Sequence, residues 1–323
     1  MKALVTGGAG FIGSHLAEAL CHRGAKVIVL DNLSGGTLQN LSWRRTDDDL
    51  EFVEGEVGDE TLVQRLLPGC DAVLHHSAVP SVPISVARPL ETNAQNLDAT
   101  LRLLVAARDA RVKRFLFASS SAIYGDGDVS PRHEGQPPNP LSPYALQKFA
   151  AEKYTQLFHE LYGLATVSLR YFNVFGPRQS FDSPYSGVIA RFCAAMLRGQ
   201  PPTIFGDGKQ SRDFTYIENV VTANLLALES PVEKVAGKIF NVACGESITL
   251  LDLVAELNRL TGQQLKPEFE PARPGDVRSS RADIAAARRE LGYQIKVSWQ
   301  EGLRRTLDFY RAGLPSTNLP PEG

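Results

Sequence analysis

The chain has 323 residues and a mass of 35.2 kDa, which exceeds one typical hydrophobic core and predicts about two domains or one large domain with a lobe. Apolar residues make up 43% and charged residues 22%, a globular composition that excludes wholesale disorder. With 34 Lys and Arg against 36 Asp and Glu, the formal net charge is -2. No basic field is therefore available for nucleic acid or an anionic membrane surface.

The sequence favours a reduced, soluble protein without a metal site. The four cysteines lie far apart, and none is spaced for zinc or a redox couple. The first apolar run breaks at Thr6, too early for a signal peptide. No apolar run reaches the roughly 18 residues that a membrane span needs. His75 and His76 end a strand, point to opposite faces and lack nearby carboxylates, so we expect structural roles for them. We therefore predict a cytoplasmic location and no membrane partner.

The first half alternates short β-rich runs with helical patterns, such as Phe11–Arg23 and Leu90–Arg108. Most of the strand candidates are continuous apolar runs, as expected for strands that are covered on both faces. The predicted strands are Lys2–Thr6, Lys26–Leu30, Glu51–Glu54, Ala72–His75, Arg114–Ser119 and Ala165–Arg170. Repeated β-α units predict an α/β fold with a Rossmann-type, doubly wound parallel sheet.

The best-defined helix follows Ser142, which is a natural N-cap, with Pro143 in the first helical position and Gly163 as the stop. The second half has more Pro- and Gly-containing loops between shorter helices, Val188–Leu197 and Leu250–Leu260. We predict a dinucleotide-binding domain over residues 1–175 and a smaller C-terminal α/β lobe over 176–323 that binds substrate. A segment near 213–245 is expected to return to the sheet as the strand 238–242.

A glycine-rich turn lies between the first strand and the first helix. Gly7, Gly10 and Gly13 allow a tight turn and leave room for a pyrophosphate at the positive end of the helix. Asp31 follows the second strand, 18 residues after Gly13. A carboxylate there accepts hydrogen bonds from a ribose 2′-hydroxyl and repels a 2′-phosphate. This pattern predicts NAD rather than NADP as the cofactor.

Tyr144 and Lys148 are four residues apart and therefore share one helix face. A free tyrosine has a pKa of about 10. A nearby ammonium would supply a large part of the lowering that base catalysis needs, and the cationic nicotinamide of NAD⁺ would add to it. Ser119, Ser120 and Ser121 lie at the end of the predicted strand Arg114–Ser119, at the edge of the sheet where ligands bind. We therefore expect a Ser-Tyr-Lys centre whose phenol has a lowered pKa.

These motifs resemble those of the extended short-chain dehydrogenases/reductases. The segments 170–179, 206–214 and 273–276 narrow the resemblance to the nucleotide-sugar 4-epimerases that act on UDP-hexoses, over about residues 1–312. The resemblance implies that Tyr144 is the acid/base, that Lys148 activates it and binds the nicotinamide ribose, and that Ser120 is its hydroxyl partner. Ser121 is the alternative hydroxyl and a substrate contact.

The resemblance also assigns binding residues. Cofactor contacts are implied for the glycine turn and for Phe11, Ile12, Asp31, Asn32, Glu56, Val57, Asn96 and Tyr171. Glu56 departs from the aspartate that the family often has beside the adenine. Substrate contacts are implied for Ser81, Asn173, Val188, Arg212, Arg273, Asp276 and Ser280. Two arginines suit a diphosphate, because each offers paired N–H donors.

The residue after the serines favours epimerisation. Related 4,6-dehydratases have an Asp-Glu pair where this chain has Ser121 and Ala122, and the decarboxylases have a glutamate in place of Ala122. Alanine cannot transfer a proton, so dehydration and decarboxylation are both disfavoured. The resemblance then implies C4 epimerisation through a 4-keto sugar. The alternatives are a UDP-glucuronate 4-epimerase, in which Arg178 or another arginine meets the carboxylate, and a non-catalytic NAD(H) sensor.

Two further expectations follow from the resemblance. Ser280 occupies a position that varies between tyrosine and a small residue, so we expect room for 2-acetamido sugars beside UDP-glucose and UDP-galactose. Family members pair through two helices of each subunit, here represented by 90–108 and 142–162, so a homodimer is expected.

Overall fold

The computed structural model describes residues 1–127, 129–181, 187–272 and 277–313. Within these ranges the strands are β1 (Lys2–Thr6), β2 (Lys26–Asp31), β3 (Leu50–Glu54), β4 (Ala72–His75), β5 (Arg114–Ser120), β6 (Thr166–Tyr171), β7 (Val174–Phe175), β8 (Thr203–Phe205), β9 (Ser211–Arg212), β10 (Thr215–Tyr216), β11 (Lys238–Val242), β12 (Ile248–Thr249) and β13 (Glu268–Glu270). The helices are α1 (Phe11–Cys21), α2 (Glu60–Leu66), α3 (Val82–Ala87), α4 (Pro89–Asn93), α5 (Ala99–Asp109), α6 (Pro143–Tyr162), α7 (Val188–Leu197), α8 (Ile217–Glu229), α9 (Val232–Val235), α10 (Leu250–Thr261) and α11 (Trp299–Gly313).

Seven parallel strands form the central sheet in the order β11-β6-β5-β4-β1-β2-β3. β1 lies inside the sheet. The chain first adds β2 and β3 on one side of β1, and then adds β4, β5, β6 and β11 on the other side. Helices cover both faces of the sheet. The buried apolar side chains accordingly form two clusters, one on each side of the sheet. This arrangement confirms the predicted doubly wound α/β fold of the Rossmann type.

The predicted strands are close to the observed ones. β1, β4 and β11 have the predicted bounds, β2 and β5 each extend one residue further, β3 starts one residue earlier, and β6 is shifted by one residue. These extensions have partners in the sheet, since Asp31 pairs with Glu54 and Tyr171 lies between Ser120 and Val242. The apolar runs marked the strands well, because both faces of most of them are buried.

Both ends of α6 match the sequence prediction. The Ser142 hydroxyl accepts a hydrogen bond from Ala145 N at 3.2 Å, and Pro143 is the first helical residue. Gly163 ends the helix with φ 71°, a left-handed conformation that glycine adopts without steric cost. The helix places Tyr144 in its first turn and Lys148 one turn later, beside the carboxyl end of β5.

The helical pattern predicted over 90–108 contains an irregularity. α4 and α5 are joined by a π-helical turn, Ala94–Asp98. The apolar periodicity of the sequence does not reveal one extra residue in a single turn. Such π-helical turns occur often at functional sites. Here the turn carries Asn96, which is buried and contacts the loop after β4.

The second half packs against the carboxyl edge of the sheet. α7 has the predicted bounds, α10 extends one residue beyond the prediction, and β11 joins the sheet beside β6. Three two-stranded sheets, β7 with β10, β9 with β12 and β8 with β13, connect the remaining segments. In the described part of the chain, no helix combines the length and the apolar character needed to cross a membrane.

Candidate functional site

The glycine turn leaves no room for side chains. A Cβ on Gly13 would lie 2.2 Å from the Gly7 carbonyl oxygen, and a Cβ on Gly7 would lie 2.8 Å from Ser77 N. Gly7 also has φ +66°, in the left-handed region. α1 begins at Phe11 behind the N-cap Gly10, and no described side chain caps it. The positive end of the helix therefore faces an uncrowded turn, which suits a pyrophosphate.

Asp31 lies beside the glycine turn and binds its backbone. Its side chain is buried at the end of β2, where Oδ2 accepts a hydrogen bond from Ala9 N (2.9 Å) and Oδ1 accepts one from Leu33 N (2.8 Å). Each carboxylate oxygen has a second lone pair. Asp31 thus holds the glycine turn in place and keeps acceptor capacity for a ribose hydroxyl. The residues present fit NAD.

Other predicted cofactor residues line the neighbouring strand ends. Asn32 donates from Nδ2 to Glu56 Oε1 at 2.9 Å, so the two side chains meet at the exposed edge beyond β2 and β3. Val57 is buried beside them. Phe11 and Ile12 open α1 and are half-buried.

Asn96 and Ser81 shape the loop after β4. Asn96 is buried, accepts a hydrogen bond from Val79 N (2.7 Å) and donates to Gln147 Oε1 (2.9 Å) on α6. Ser81 is buried as well and caps α3 by accepting from Ile84 N at 3.2 Å. Both residues therefore set the position of this loop relative to α6.

The two histidines of β4 and its end are structural, as predicted. His75 is buried between the hydroxyls of Thr6 (2.7 Å) and Thr100 (2.8 Å), and burial lowers its pKa well below the usual range. His76 stacks on Tyr171 and meets its hydroxyl at 2.9 Å, with a pKa lowered to about 3 by burial. The Tyr171 hydroxyl, assigned to the cofactor from the sequence, is thus engaged inside the protein. Among the described residues no cluster of metal-ligating side chains occurs.

The structure brings Ser120, Tyr144 and Lys148 together. The hydroxyls of Ser120 and Tyr144 are hydrogen-bonded, and Ser120 Oγ also accepts from Ala122 N at 3.2 Å. Lys148 is buried and its Nζ donates to the carbonyl of Ala118 at 2.8 Å. Ser120, rather than Ser121, is therefore the hydroxyl that meets the phenol. All three side chains lie where β5 ends and α6 begins.

The electrostatics of this centre differ from the sequence-based expectation. Burial raises the pKa of Tyr144, and only the hydrogen bond from Ser120 opposes that effect. Burial also lowers the pKa of Lys148 to about 8. The Lys148 ammonium binds a carbonyl and stands 4.9 Å from the centre of the Phe117 ring. The protein's own residues therefore raise the pKa of this phenol where the sequence predicts a lowered one, because desolvation outweighs the hydrogen bond from Ser120.

Several predicted substrate residues surround the same edge of the sheet. Asn173 has φ 34° and donates from Nδ2 to the carbonyl of Asp213 at 3.2 Å. Arg212 lies on β9, and Ser280 donates its backbone N–H to the carbonyl of Ser211 at 3.1 Å. Val188 is the first residue of α7, and Ser121 starts the turn after β5. The predicted residues Arg273 and Asp276 lie outside the described ranges.

Sequence reasoning missed the buried carboxyl group of Asp213, which ties these segments together. Oδ1 accepts a hydrogen bond from Cys244 N (2.9 Å), and Oδ2 accepts from Gly245 N (2.9 Å) and Ala282 N (3.0 Å). The side chain is fully buried, and this desolvation raises its pKa to about 7. Its neighbour Arg212 is one of the predicted diphosphate ligands. The only signal in the sequence was its place within the segment 206–214, which carries part of the family resemblance.

The chain is similar to known proteins over most of its length. Residues 3–243 match a family described as the NAD dependent epimerase/dehydratase family. The UDP-glucose 4-epimerase of Mycolicibacterium smegmatis is 38% identical over 96% of this chain and 99% of that protein.

Two solved structures are similar as well. One is a UDP-N-acetylglucosamine 4-epimerase from Methanobrevibacter ruminantium in complex with UDP-N-acetylmuramic acid, with 39% identity, a TM-score of 0.92 and coverage of 97% of this chain and 99% of that one. The other is a UDP-glucose 4-epimerase from Thermotoga maritima with UDP-glucose, with 41% identity, a TM-score of 0.92 and coverage of 98% and 100%.

The raised pKa of Asp213 predicts a pH-dependent stability. The folded pKa of about 7 exceeds the ordinary value of 3.8, so the folded protein binds this proton more tightly than the unfolded chain does. The resulting stabilisation is present below pH 3.8 and is lost as the pH rises through about 7. We expect the free energy of unfolding of Asp213→Asn, relative to wild type, to increase between about pH 5 and about pH 8. The change should reach a few kcal/mol, at about 1.4 kcal/mol per pKa unit.

Urea unfolding of both proteins at each pH measures this difference, and subtraction cancels the titration of all other groups. A difference that stays constant across the range would contradict the assignment.

Proposed function

Because the chain belongs to the NAD dependent epimerase/dehydratase family, we propose that it interconverts UDP-hexoses that differ in configuration at C4. The proposed pairs are UDP-glucose with UDP-galactose and UDP-GlcNAc with UDP-GalNAc, in line with the 4-epimerases that it resembles. The observation that carries the proposal is the contact between the half-buried hydroxyls of Ser120 and Tyr144 beside the buried Lys148.

The cofactor site is formed by the glycine turn, the start of α1 and Asp31. The first-turn N–H groups of α1 would bind the pyrophosphate, and Asp31 would accept from a ribose hydroxyl. When bound, NAD supplies the reversible oxidation of the sugar at C4. We propose supporting contacts from Asn32, Glu56 and Asn96 at the edges of this site.

Tyr144 Oη is the atom that takes the proton of the sugar 4-hydroxyl and gives it back. Ser120 Oγ holds the phenol by a hydrogen bond and orients the sugar oxygen beside it. Lys148, with a pKa lowered to about 8, is mostly charged at neutral pH and favours loss of the phenol proton when the site is engaged. Because the free protein keeps that phenol protonated, Tyr144 must first release its own proton to solvent before Oη can accept the proton of the sugar 4-hydroxyl.

The surroundings of Ser120 support epimerisation over elimination. Ala122 donates its backbone N–H to Ser120 Oγ and has no side-chain group that transfers protons. A dehydratase or decarboxylase needs an acid at this position. The chain must instead hold the UDP group while the oxidised sugar turns over, and we propose Asn173, Val188 and Arg212 for that anchor.

Arg178, one candidate partner for the carboxylate of UDP-glucuronate, already contacts a carboxylate of the protein. Its guanidinium pairs with Glu18 of α1 at 2.5 Å, and both side chains are largely buried. His15, whose pKa burial lowers to about 4, binds the neighbouring carbonyl of Pro177 at 3.0 Å. Arg178 therefore joins the loop after β7 to the cofactor helix, and its charge is already compensated by a protein carboxylate.

We propose that residues 1–175 mainly serve the cofactor and 176–323 mainly the sugar nucleotide. The membership of β11 in the central sheet supports a returning segment near 213–245. All four cysteines are free and buried, which suits a reducing compartment, and we propose the cytoplasm.

The first test replaces Tyr144 by phenylalanine. Loss of the proton-transferring oxygen should lower kcat by a factor of about 100 or more, the usual contribution of general acid–base catalysis. Turnover of UDP-glucose, UDP-GlcNAc and UDP-glucuronate is measured by chromatography, with UDP affinity from calorimetry as the control that should not change. Intact turnover in Tyr144→Phe would refute the mechanism. Wild-type protein that binds NAD and converts none of the sugars would favour the sensor alternative.

The second test concerns the acetamido sugars. Ser280 is half-buried beside Ser211, next to the proposed anchor Arg212. Ser280→Tyr should reduce kcat/KM for UDP-GlcNAc by at least about tenfold and spare UDP-glucose, because a larger side chain fills the space for the acetamido group. Ser280→Ala is the matched control and should retain both activities. Equal loss on both substrates, or no loss on either, would contradict the role of Ser280.

A homodimer is proposed from the surface of α3 to α6. Leu90 is 87% exposed and Leu161 is 67% exposed. Single exposed apolar side chains are common on protein surfaces, whereas a group of them on neighbouring helices marks an interaction site. The exposed apolar residues on these helices are Val82, Val86, Leu90, Val105, Leu146, Leu157, Leu161 and Tyr162. A second copy of the chain would cover them in a four-helix bundle.

Sedimentation velocity tests the dimer. Wild type should sediment as a dimer at micromolar concentration, and Leu161→Asp should shift it towards the monomer, because a charge would be buried in the interface. Leu38→Asp is the control, since Leu38 is 53% exposed on the turn after β2 and lies away from these helices. A monomeric wild type, or equal effects of both variants, would exclude this interface.

A further inference from the structure

Glu152 lies on α6, one turn after Lys148, and its side chain is fully buried. Its Oε2 accepts hydrogen bonds from Ser119 Oγ at 2.6 Å and from Arg170 Nε at 2.8 Å. Its Oε1 accepts from Arg170 Nη2 at 2.6 Å. One carboxylate therefore joins α6 to two neighbouring strands, β5 through Ser119 and β6 through Arg170.

Both members of this ion pair are almost completely removed from solvent, with side chains 2% exposed for Arg170 and 0% for Glu152. A buried ion pair often adds little stability over apolar side chains of similar volume, because desolvation offsets the attraction. Stability alone therefore gives a weak reason for the pair. Its geometry gives a stronger one.

The catalytic groups stand on different elements of the fold. Tyr144 and Lys148 belong to α6, whereas Ser120 ends β5. The hydrogen bond between Ser120 and Tyr144 therefore depends on how α6 lies on β5. Glu152 sets that relation directly, because it is on the same face of α6 as the catalytic pair and binds the residue that precedes Ser120.

Arg170 extends the contact to the other side of Ser120. Its guanidinium lies 4.8 Å from the centre of the Tyr124 ring, in the last position of the turn that follows β5. The Tyr124 hydroxyl in turn donates to Asn241 Oδ1 on β11 at 2.7 Å. The backbone is thus held by side chains both before and after the catalytic serine.

We propose that Glu152 is a positioning residue, which fixes the catalytic serine and the tyrosine-bearing helix relative to each other through Ser119 and Arg170. This role rests on the proposed epimerase function. It requires that loss of the carboxylate lowers the rate of the chemical step and leaves the binding of the UDP group unchanged, because the proposed UDP anchor lies on other segments.

The test compares Glu152→Gln, Ser119→Ala and the control Glu160→Gln, which alters an exposed glutamate of the same helix. A misplacement of about 1 Å typically costs on the order of 100-fold in rate. We expect Glu152→Gln to lower kcat by about 10- to 100-fold, with KM and calorimetric UDP affinity within about twofold of wild type. Ser119→Ala, which keeps the ion pair, should lower kcat severalfold and retain the wild-type melting temperature. Glu160→Gln should match wild type throughout.

If Glu152→Gln does not fold, the kcat of Ser119→Ala tests the positioning role instead. Wild-type kcat in folded Glu152→Gln, or in Ser119→Ala when Glu152→Gln is unfolded, would overturn the proposal. A loss seen only in KM or in UDP affinity would overturn it too. Failure of wild type to convert any UDP-sugar is a separate result, which refutes the epimerase function and with it the positioning role.

Discussion

Desolvation of Tyr144 and Lys148, the groups that we propose for proton transfer, is the constraint on which the rest of this structure depends. Burial raises the pKa of Tyr144 and lowers that of Lys148 to about 8, so each group is driven towards its neutral form. A hydroxyl on β5 and a carbonyl on the same strand are the protein's direct partners for them. The protein without substrate therefore keeps this phenol protonated. Such a group works only if its hydrogen-bond partner is placed accurately.

Side chains outside the Ser120, Tyr144 and Lys148 cluster hold these three groups in position. Helix α6 carries the phenol and the ammonium, and its position on the sheet is set by a buried ion pair and by Gln147, which binds Asn96 in the π-helical turn. The cofactor turn is fixed from below by Asp31, and the predicted diphosphate ligand Arg212 stands next to the buried Asp213. Each of these segments is thus held in position by a buried polar side chain.

Much of this could be predicted from the sequence, and the limits have physical causes. Apolar runs predicted the strands and local capping predicted α6, because both are decided by residues close together in the chain. The glycine turn and the Tyr144–Lys148 spacing were visible for the same reason. The partners of Asp213 lie 31, 32 and 69 positions away, so no local pattern marks them. The phenol pKa was predicted in the wrong direction, because charge spacing can be read from a sequence and the depth of burial cannot.

The contacts of Asp213 also bear on how the molecule assembles. Its backbone and side chain meet Asn173, the turn after β11 and the segment at Ala282. These pieces come from widely separated parts of the chain, so joining them requires the closure of long loops, which slows folding. During synthesis, β1 to β6 can pair as soon as they emerge. The segments that Asp213 joins can meet only after nearly nine-tenths of the chain has been synthesised, since Ala282 is residue 282 of 323.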